Sequence, residues 1–410
     1  MSLVVQKYGG SSLATPELIK SVAARIRSAH DSEGNVVATV SAMGDSTDKL
    51  LSIASKVSEM PDLRELDVLL STGELQSCAL VAMALKSMGK RAVSLSGAQA
   101  GIRTDSSYGK AKIAGIDTGR INEELEKGNI VIVAGFQGVT GDSDITTLGR
   151  GASDLTAVAL AAGLNADRCE IYTDVEGIYT ADPRLVSDAR KMTQVGFEEM
   201  LELASYGAKM NPRSIELGMV YQVPILVASS FNNEPGTLIH DGENMDTTVG
   251  EIRNRVRGIA TDKDVAKITV FSVVDRPGIA AALFDPLAES DISVDIIVQN
   301  ASVSGTTDLT FTIKQSDVGR AMKVVEKVAQ DLGTTNVGKA ENLAKISIVG
   351  TGMQDSPGYA STMFRSLAEA KINIEMITTS EIRITCIIES DQVAKAAEVL
   401  HAAFELEKSD

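Results

Sequence analysis

The sequence predicts an α/β protein in two parts, a mainly parallel sheet sandwiched by helices and then two small βαββαβ units. Three observations carry this reading. Short β-rich runs alternate with longer Ala-rich runs through the first part of the chain, the pattern of parallel strands joined by crossover helices and covered on both faces. A polar, charged stretch at 241–257 interrupts the alternation. Beyond it residues 275–297 recur as 355–377, with ten of twenty-three aligned positions identical at one constant offset, the mark of an internal repeat.

Each element has its own warrant. A strand is expected at 3–7, then two glycines, then a helix at 15–29 in which Thr15 is the N-cap and Pro16 the first helical residue. A second strand is expected at 36–41 and helices at 48–57 and 74–87. Further strands are expected at 92–96, 130–134 and 169–173, with an Ala-rich helix at 154–162. In each repeat a strand (267–273 or 345–349) leads through a Pro-Gly turn to a helix, two strands, a helix and a last strand. The expected division is 1–245, a connector at 246–264, and repeats at 265–340 and 341–410.

Composition narrows the function. Of 410 residues, 44% are hydrophobic and 23% charged, as in an ordinary globular protein. Aromatics are 4% and Trp is absent, so Ala, Val, Ile, Leu and Met must fill the core. A net charge of −16 argues against binding nucleic acid or an anionic membrane, because there is little cationic surface to release counterions. Cys78, Cys169 and Cys386 are far apart and the histidines are only His30, His240 and His401, so neither a disulfide framework nor a zinc site is expected. The N-terminus has no charged region leading into an apolar run, and no apolar stretch reaches about 18 residues. A cytoplasmic protein with reduced thiols is expected.

Five loops have the residues for phosphate and amino-acid chemistry. Lys7-Tyr8-Gly9-Gly10-Ser11-Ser12 follows a strand; its glycines let backbone N–H groups approach an anion, and Lys7 can neutralise a transferring phosphoryl group. The 40–48 loop offers the hydroxyls of Ser41 and Thr47, or is a plain turn with a helix cap. Glu74 is read at a helix start, where the dipole favours a carboxylate, with engagement of a substrate ammonium as the functional alternative. In the 146–154 loop Arg150 can grip a carboxylate with two N–H groups, while Asp154 either orders Lys7 or caps a helix. The 172–184 loop is dense in polar groups suited to a purine and ribose. Neither the P-loop pattern nor a dinucleotide fingerprint is present, and nothing resembles a protein-kinase catalytic loop.

In order and spacing, Lys7-Tyr-Gly-Gly-Ser-Ser, Val40-Ser-Ala-Met-Gly, Ser71-Thr-Gly-Glu, Thr147-Leu-Gly-Arg-Gly, Tyr172-Thr-Asp-Val and Tyr179-Thr-Ala-Asp-Pro-Arg resemble the motifs of aspartokinases. Ser205-Tyr-Gly-Ala-Lys209 resembles a later nucleotide-site segment, and the repeats resemble paired ACT domains, including Val298-Gln-Asn, Thr307-Asp and Thr379-Ser-Glu-Ile. The resemblance covers nearly the whole chain and is to the monofunctional, lysine- and threonine-regulated type. It implies an amino-acid-kinase fold followed by two ferredoxin-like ACT domains, and phosphorylation of the L-aspartate side chain by ATP at the entry to lysine, threonine, methionine and diaminopimelate biosynthesis. By resemblance, Lys7, Glu74 and Asp154 are catalytic, and Ser41, Thr47, Glu74 and Arg150 hold aspartate. Lys7, Gly9, Gly10 and Ser11 contact phosphates; Thr173, Asp174, Tyr179, Asp182, Arg184 and Lys209 line the nucleotide. Mg²⁺ is expected on the phosphates, with no protein ligand. Asp275, Gly278, Ala280, Gln299, Asn373 and Ile374 resemble a threonine site, and Ser380 and Glu381 part of a lysine site.

The sequence departs from the family at Ala152 (usually Gly), Asn211 (usually His), Ala228 (usually Arg) and Leu75 (usually Gln or Arg). A homo-oligomer through the ACT domains is expected, with Met245 placed where an internal start would yield a shorter regulatory chain. Two rivals are a catalytically weak amino-acid sensor and another amino-acid kinase of the same fold.

Overall fold

The computed structural model describes residues 2–207, 210–241, 256–300, 305–353 and 357–408. In chain order the elements are β1 (Ser2–Tyr8), α1 (Pro16–Glu33), β2 (Gly34–Val40), α2 (Ser46–Val57), α3 (Leu63–Ser87), β3 (Ala92–Leu95), β4 (Ile102–Thr104), β5 (Ile113–Ile116), α4 (Gly119–Glu126), β6 (Ile130–Ala134), β7 (Gln137–Val139), β8 (Ile145–Thr147), α5 (Ser153–Leu164), β9 (Arg168–Thr173), β10 (Gln194–Gly196), α6 (Phe197–Ser205), α7 (Pro212–Tyr221), β11 (Ile225–Ser229) and β12 (Thr237–His240). The later part adds β13 (Gly258–Val274), α8 (Ile279–Glu289), β14 (Ile297–Gln299), β15 (Thr306–Ile313), α9 (Val318–Asp331), β16 (Val337–Val349), α10 (Tyr359–Glu369), β17 (Met376–Ser380), β18 (Arg383–Glu389) and α11 (Val393–Ala403). Two units result: Met1–Ile178 with Lys191–Ser205 and Lys209–Val249, and Tyr179–Arg190 with Tyr206–Ala208 and Gly250–Asp410.

The first unit is built on an eight-stranded sheet in the order β10-β12-β11-β9-β1-β2-β6-β3, parallel except between β11 and β12. The central strands are buried on both faces, β6 as an unbroken apolar run and β1 with Gln6 and Lys7 as buried polar residues. Thr15 caps α1 by accepting from the Leu18 N–H, and Pro16 takes the first turn. The chain passes from β1 to β2 on one side, while β9 closes on the other. β1 is therefore a switch point, and the loops at the carboxyl ends of β1, β2 and β9 open side by side where ligands bind in such sheets. A second sheet, β5-β4-β7-β8, is made of strands three or four residues long, too short for any alternation to be read from sequence.

Helix α3 corrects one expectation. It begins at Leu63, capped by Asp62, eleven residues before Glu74. Glu74 therefore lies in mid-helix, away from any terminal dipole. By length and composition α3 is also apolar enough to span a membrane. Ten of its residues are buried in this unit, Asp67 and Glu74 among them, as expected of a core helix.

In the second unit β14-β15-β13-β16-β18-β17 form one antiparallel sheet. Residues 265–274 of β13 serve the first repeat; Gly258–Asp262 of the same strand pair with Val349–Lys345 of β16, the first strand of the second repeat. Among the described residues no strand follows α11, so Gly258–Asp262 fill the place of the second repeat's last strand. That strand starts inside the stretch expected as a connector. Segment Tyr179–Arg190, assigned by sequence to the first domain, also lies in this unit. Ala181 and Val186 join the core with Ile346 and Leu400, Thr180 Oγ1 lies 3.0 Å from His401 Nε2, and the Ile259 N–H donates to Thr180 O at 2.7 Å. Gly207 is required here, because a Cβ on it would come within 2.0 Å of Thr261 O.

The repeats grip each other through equivalent lysines. Lys267 Nζ reaches Glu375 at 2.8 Å, and Lys345 pairs with Asp295. Lys345 also lies 3.8 Å from Asp262 and 5.3 Å from the Tyr206 ring centroid, with a side chain only 9% exposed. Removing a buried partner leaves the opposite charges uncompensated. Lys345→Ala is expected to destabilise this unit by about 3 kcal/mol and Lys267→Ala by about 1 kcal/mol, measured by amide exchange of β16 and β18.

Candidate functional site

Lys7 sits at the end of β1 and is 9% exposed. Its Nζ lies 2.7 Å from Asp154 Oδ1. The N-cap of α5 is Ala152, with no side-chain cap bond; Asp154 is in the first turn and is committed to Lys7. Asp154 therefore pairs with Lys7 and is not the helix cap. The Gly9-Gly10 turn follows. A Cβ on Gly10 would approach Ala42 O to 2.8 Å, and Gly44 N donates to Gly10 O at 3.0 Å. The glycines thus let the β1 and β2 loops close on each other, leaving Ser11 exposed and Ser12 buried against Ser230.

Glu74 faces the same loops. One oxygen accepts from the Ala42 N–H at 3.1 Å, and among the described residues Oε2 is buried without a hydrogen-bond partner. Burial pushes this carboxyl up to about 7, against two backbone hydrogen bonds that act in the opposite sense. A buried acceptor with no donor is costly. Ser41 is half-buried at the end of β2, and Thr47 lies in the first turn of α2.

Arg150 stands between Gly149 (φ 93°) and Gly151 (φ 73°), both left-handed. Its side chain is 74% exposed and its Nη2 donates to Asp48 Oδ1 at 3.0 Å. The loop stem before it is fixed from two sides. Asp67, buried in α3, accepts from Thr147 N (2.9 Å), Thr147 Oγ1 (2.6 Å) and Gly109 N (2.9 Å). Arg213 of α7 donates to Leu148 O and Ala111 O. The departures at 152 and 211 find their places here. The Ala152 methyl is buried beside Leu70, Phe136 and Leu155 with ordinary φ, and Asn211 caps α7 by accepting from Arg213 N.

Behind Lys7, on the opposite face of β1, lies a buried polar network that the sequence reading missed. Glu170 accepts from Gln6, Tyr172 and Arg168; the Tyr8 and Tyr172 rings stack at 5.1 Å; Arg25 lies 4.8 Å over Tyr172. Ala228 is buried beside Tyr172. A charged residue inside an apolar strand (Cys169-Glu170-Ile171) was the available signal. For Asp67 it was an acid seven residues before Glu74, on the same helix face.

The other expected residues are dispersed. Thr173 ends β9 and Asp174 follows it, beside the glycine turn, where Gly9 N donates to Tyr172 O. Tyr179, Asp182 and Arg184 fall in the second unit, and Arg184 Nη2 binds Asp182 Oδ2 at 2.6 Å. Lys209 and Met245 lie outside the described residues. Of the effector candidates, Asp275 and Gly278 lead into Ala280 in α8, and Gln299 ends β14. Asn373 and Ile374 precede β17, which carries Ser380 with Glu381 in the turn after it. β14 and β17 are opposite edges in strand order, yet the repeats close on each other: Val298 and Met376 pack on one apolar cluster, and Asn373 donates to Glu375, which Lys267 also holds. None of these residues lines the open cavity of about 320 Å³ on the first repeat, which Lys267, Thr269, Phe271 and Asp308 help to form.

Among the described residues no group of three or more His, Cys, Asp or Glu is placed to hold a metal. A Mg²⁺ ion that travels on nucleotide phosphates fits such a site, since it keeps phosphate and water oxygens as ligands.

Comparison with known proteins agrees with the architecture. Residues 2–229 match the amino acid kinase family, and 268–328 and 346–404 match the ACT domain. The aspartokinase of Corynebacterium glutamicum is 49% identical, over 100% of this chain and 98% of its own. Aspartokinase 2 of Bacillus subtilis is 45% identical, over 100% and 99%. The structure of E. coli aspartokinase III in complex with aspartate and ADP superposes with a TM-score of 0.81 at 25% identity, covering 98% of this chain and 100% of that one. The sequence identity runs through both units, and the two matches fall on a parallel sheet with a buried Lys7–Asp154 pair and on a pair of strand-sharing repeats: the chain belongs to the aspartokinase family.

Proposed function

We propose that this chain transfers the γ-phosphoryl group of ATP to the side-chain carboxylate of L-aspartate, giving 4-phospho-L-aspartate and ADP. The observation that carries the residue assignment is the buried Lys7–Asp154 pair at the switch point, with Glu74 held against the adjoining β2 loop through the Ala42 N–H. The turn at Gly9, Gly10 and Ser11 receives the phosphates. Lys7 neutralises charge as the phosphoryl group passes, and Asp154 keeps its ammonium aimed. Glu74 takes the substrate ammonium. Arg150 exchanges Asp48 for a substrate carboxylate, with Ser41 and Thr47 donating hydroxyls. The attacking carboxylate is already ionised at neutral pH, so no general base is required and the chemistry is positioning and charge neutralisation. Mg²⁺ on the phosphates supplies further neutralisation. Thr173, Asp174, Tyr179, Asp182, Arg184 and Lys209 are the nucleotide residues in this reading.

The product is the activated acyl phosphate that opens lysine, threonine, methionine and diaminopimelate synthesis. Lysine and threonine are the proposed inhibitors, at Ser380 and Glu381 and at Asp275, Gly278, Ala280, Gln299, Asn373 and Ile374. A homo-oligomer joined through the repeats belongs to the same reading. The deciding assay is coupled ADP release with L-aspartate, L-glutamate and N-acetyl-L-glutamate, with and without lysine plus threonine. Aspartate-dependent turnover supports the assignment; no turnover with aspartate, with lysine or threonine still bound, would leave an amino-acid sensor.

A further inference from the structure

We propose that Asp67 is a positioning residue for the amino-acid substrate, holding the Arg150 loop in register with Glu74 through helix α3. The inference rests on the reading of Arg150 and Glu74 as substrate-binding residues. Asp67 is 1% exposed and its carboxylate makes three hydrogen bonds outside its own helix. Two go to Thr147, three residues before Arg150; the third goes to Gly109. Gly149 packs against Gly109, where a Cβ would stand 3.7 Å from its carbonyl oxygen. One carboxylate thus joins the helix, the 105–111 loop and the stem of the arginine loop.

The spacing gives this a functional sense. Asp67 and Glu74 are seven residues apart, two turns on the same helix face, a separation of about 10 Å along the axis. The helix that presents the proposed ammonium partner therefore also anchors the segment bearing the proposed carboxylate partner. Arg150 has little other restraint. It is exposed, lies between two glycines with left-handed φ, and its recorded partner Asp48 is itself exposed. Its position depends on the stem, which Asp67 grips from α3 and Arg213 from α7. A carboxylate is suited to this because it accepts several donors at once, two backbone N–H groups and a hydroxyl. An asparagine there presents one acceptor oxygen and turns its NH₂ toward a donor.

Asp67→Asn is expected to raise the aspartate KM at least tenfold, with the ATP KM changed less than twofold. Thr147→Val, which keeps the backbone bond and removes only the hydroxyl bond, is expected to raise it about threefold. In Asp67→Asn/Arg150→Ala the aspartate KM should be no higher than in Arg150→Ala alone. If Asp67→Asn folds poorly, Thr147→Val carries the test. A lower thermal midpoint and lower kcat with both KM values unchanged would make Asp67 merely structural and overturn the proposal. If Arg150→Ala itself leaves the aspartate KM unchanged, the reading of Arg150 fails instead, and the two failures are distinguishable.

Discussion

Lys7→Ala is expected to lower kcat by on the order of 10³-fold, about 4 kcal/mol of transition-state stabilisation, with a much smaller change in aspartate KM. The lysine is fixed 2.7 Å from Asp154 in a site where both side chains are 11% exposed, so its charge acts with little screening. The same variant leaves Asp154 buried without its partner and should lose about 3 kcal/mol of stability. A second substitution separates the two effects. In Lys7→Ala/Asp154→Ala the orphaned charge is gone, so stability should largely return while turnover stays lost. Recovery of turnover in the double variant would show that Lys7 acts only by neutralising Asp154. The measurements are single-turnover phosphoryl transfer and thermal unfolding of the three proteins.

Glu74→Gln should have opposite effects on stability and on binding. Burial holds the folded carboxyl at about 7 against an ordinary 4.5. Between those values the folded state binds more protons than the unfolded one, so Glu74 costs stability progressively as pH rises from about 4.5 to about 7. The full cost, about 3 kcal/mol, applies above that window. Glutamine cannot ionise and can still accept the Ala42 N–H. Glu74→Gln is therefore expected to unfold at a higher temperature than wild type at pH 8 and at the same temperature near pH 4.5. Binding moves the other way. Only ionised Glu74 attracts an ammonium, so the wild-type aspartate KM should climb as pH falls below about 7. In Glu74→Gln it should be raised about 100-fold and lose that dependence. An aspartate KM that keeps its pH profile in the variant would remove Glu74 from the substrate site.

The sequence was most legible where local chemistry and topology point the same way. The β1 turn reads as a phosphate loop because a strand, two glycines and a lysine occur together, and Lys7 does end a central strand. Glu74 was read at a helix start and lies in mid-helix: Asp62 caps α3 far upstream, and Ser71-Thr-Gly is no boundary. Asp154 left two readings open because N-cap and first-turn acids look alike in sequence; only the geometry separates them. Asp67 and Glu170 were passed over because a buried acid is recognised by what donates to it, and each has a donor far off in the chain, Gly109 42 residues from Asp67 and Gln6 164 from Glu170. The boundary at 245 assumed that each domain is one continuous stretch. Tyr179–Arg190 and the Gly258–Asp262 strand segment do not obey that assumption.

The shared strand also bears on how the chain reaches this structure. Gly258 meets Val349 in register, so the first residues of β13 emerge from a ribosome some ninety residues before their partners, several seconds at ordinary rates of synthesis. During that interval they form an unprotected β-edge, the kind of surface that recruits other chains. Pairing over so long a loop is slow by its nature. The second repeat therefore cannot close until the whole segment from Gly258 to Val349 has been made, and a truncation between the repeats would leave Gly258–Asp262 as a lasting unpaired edge.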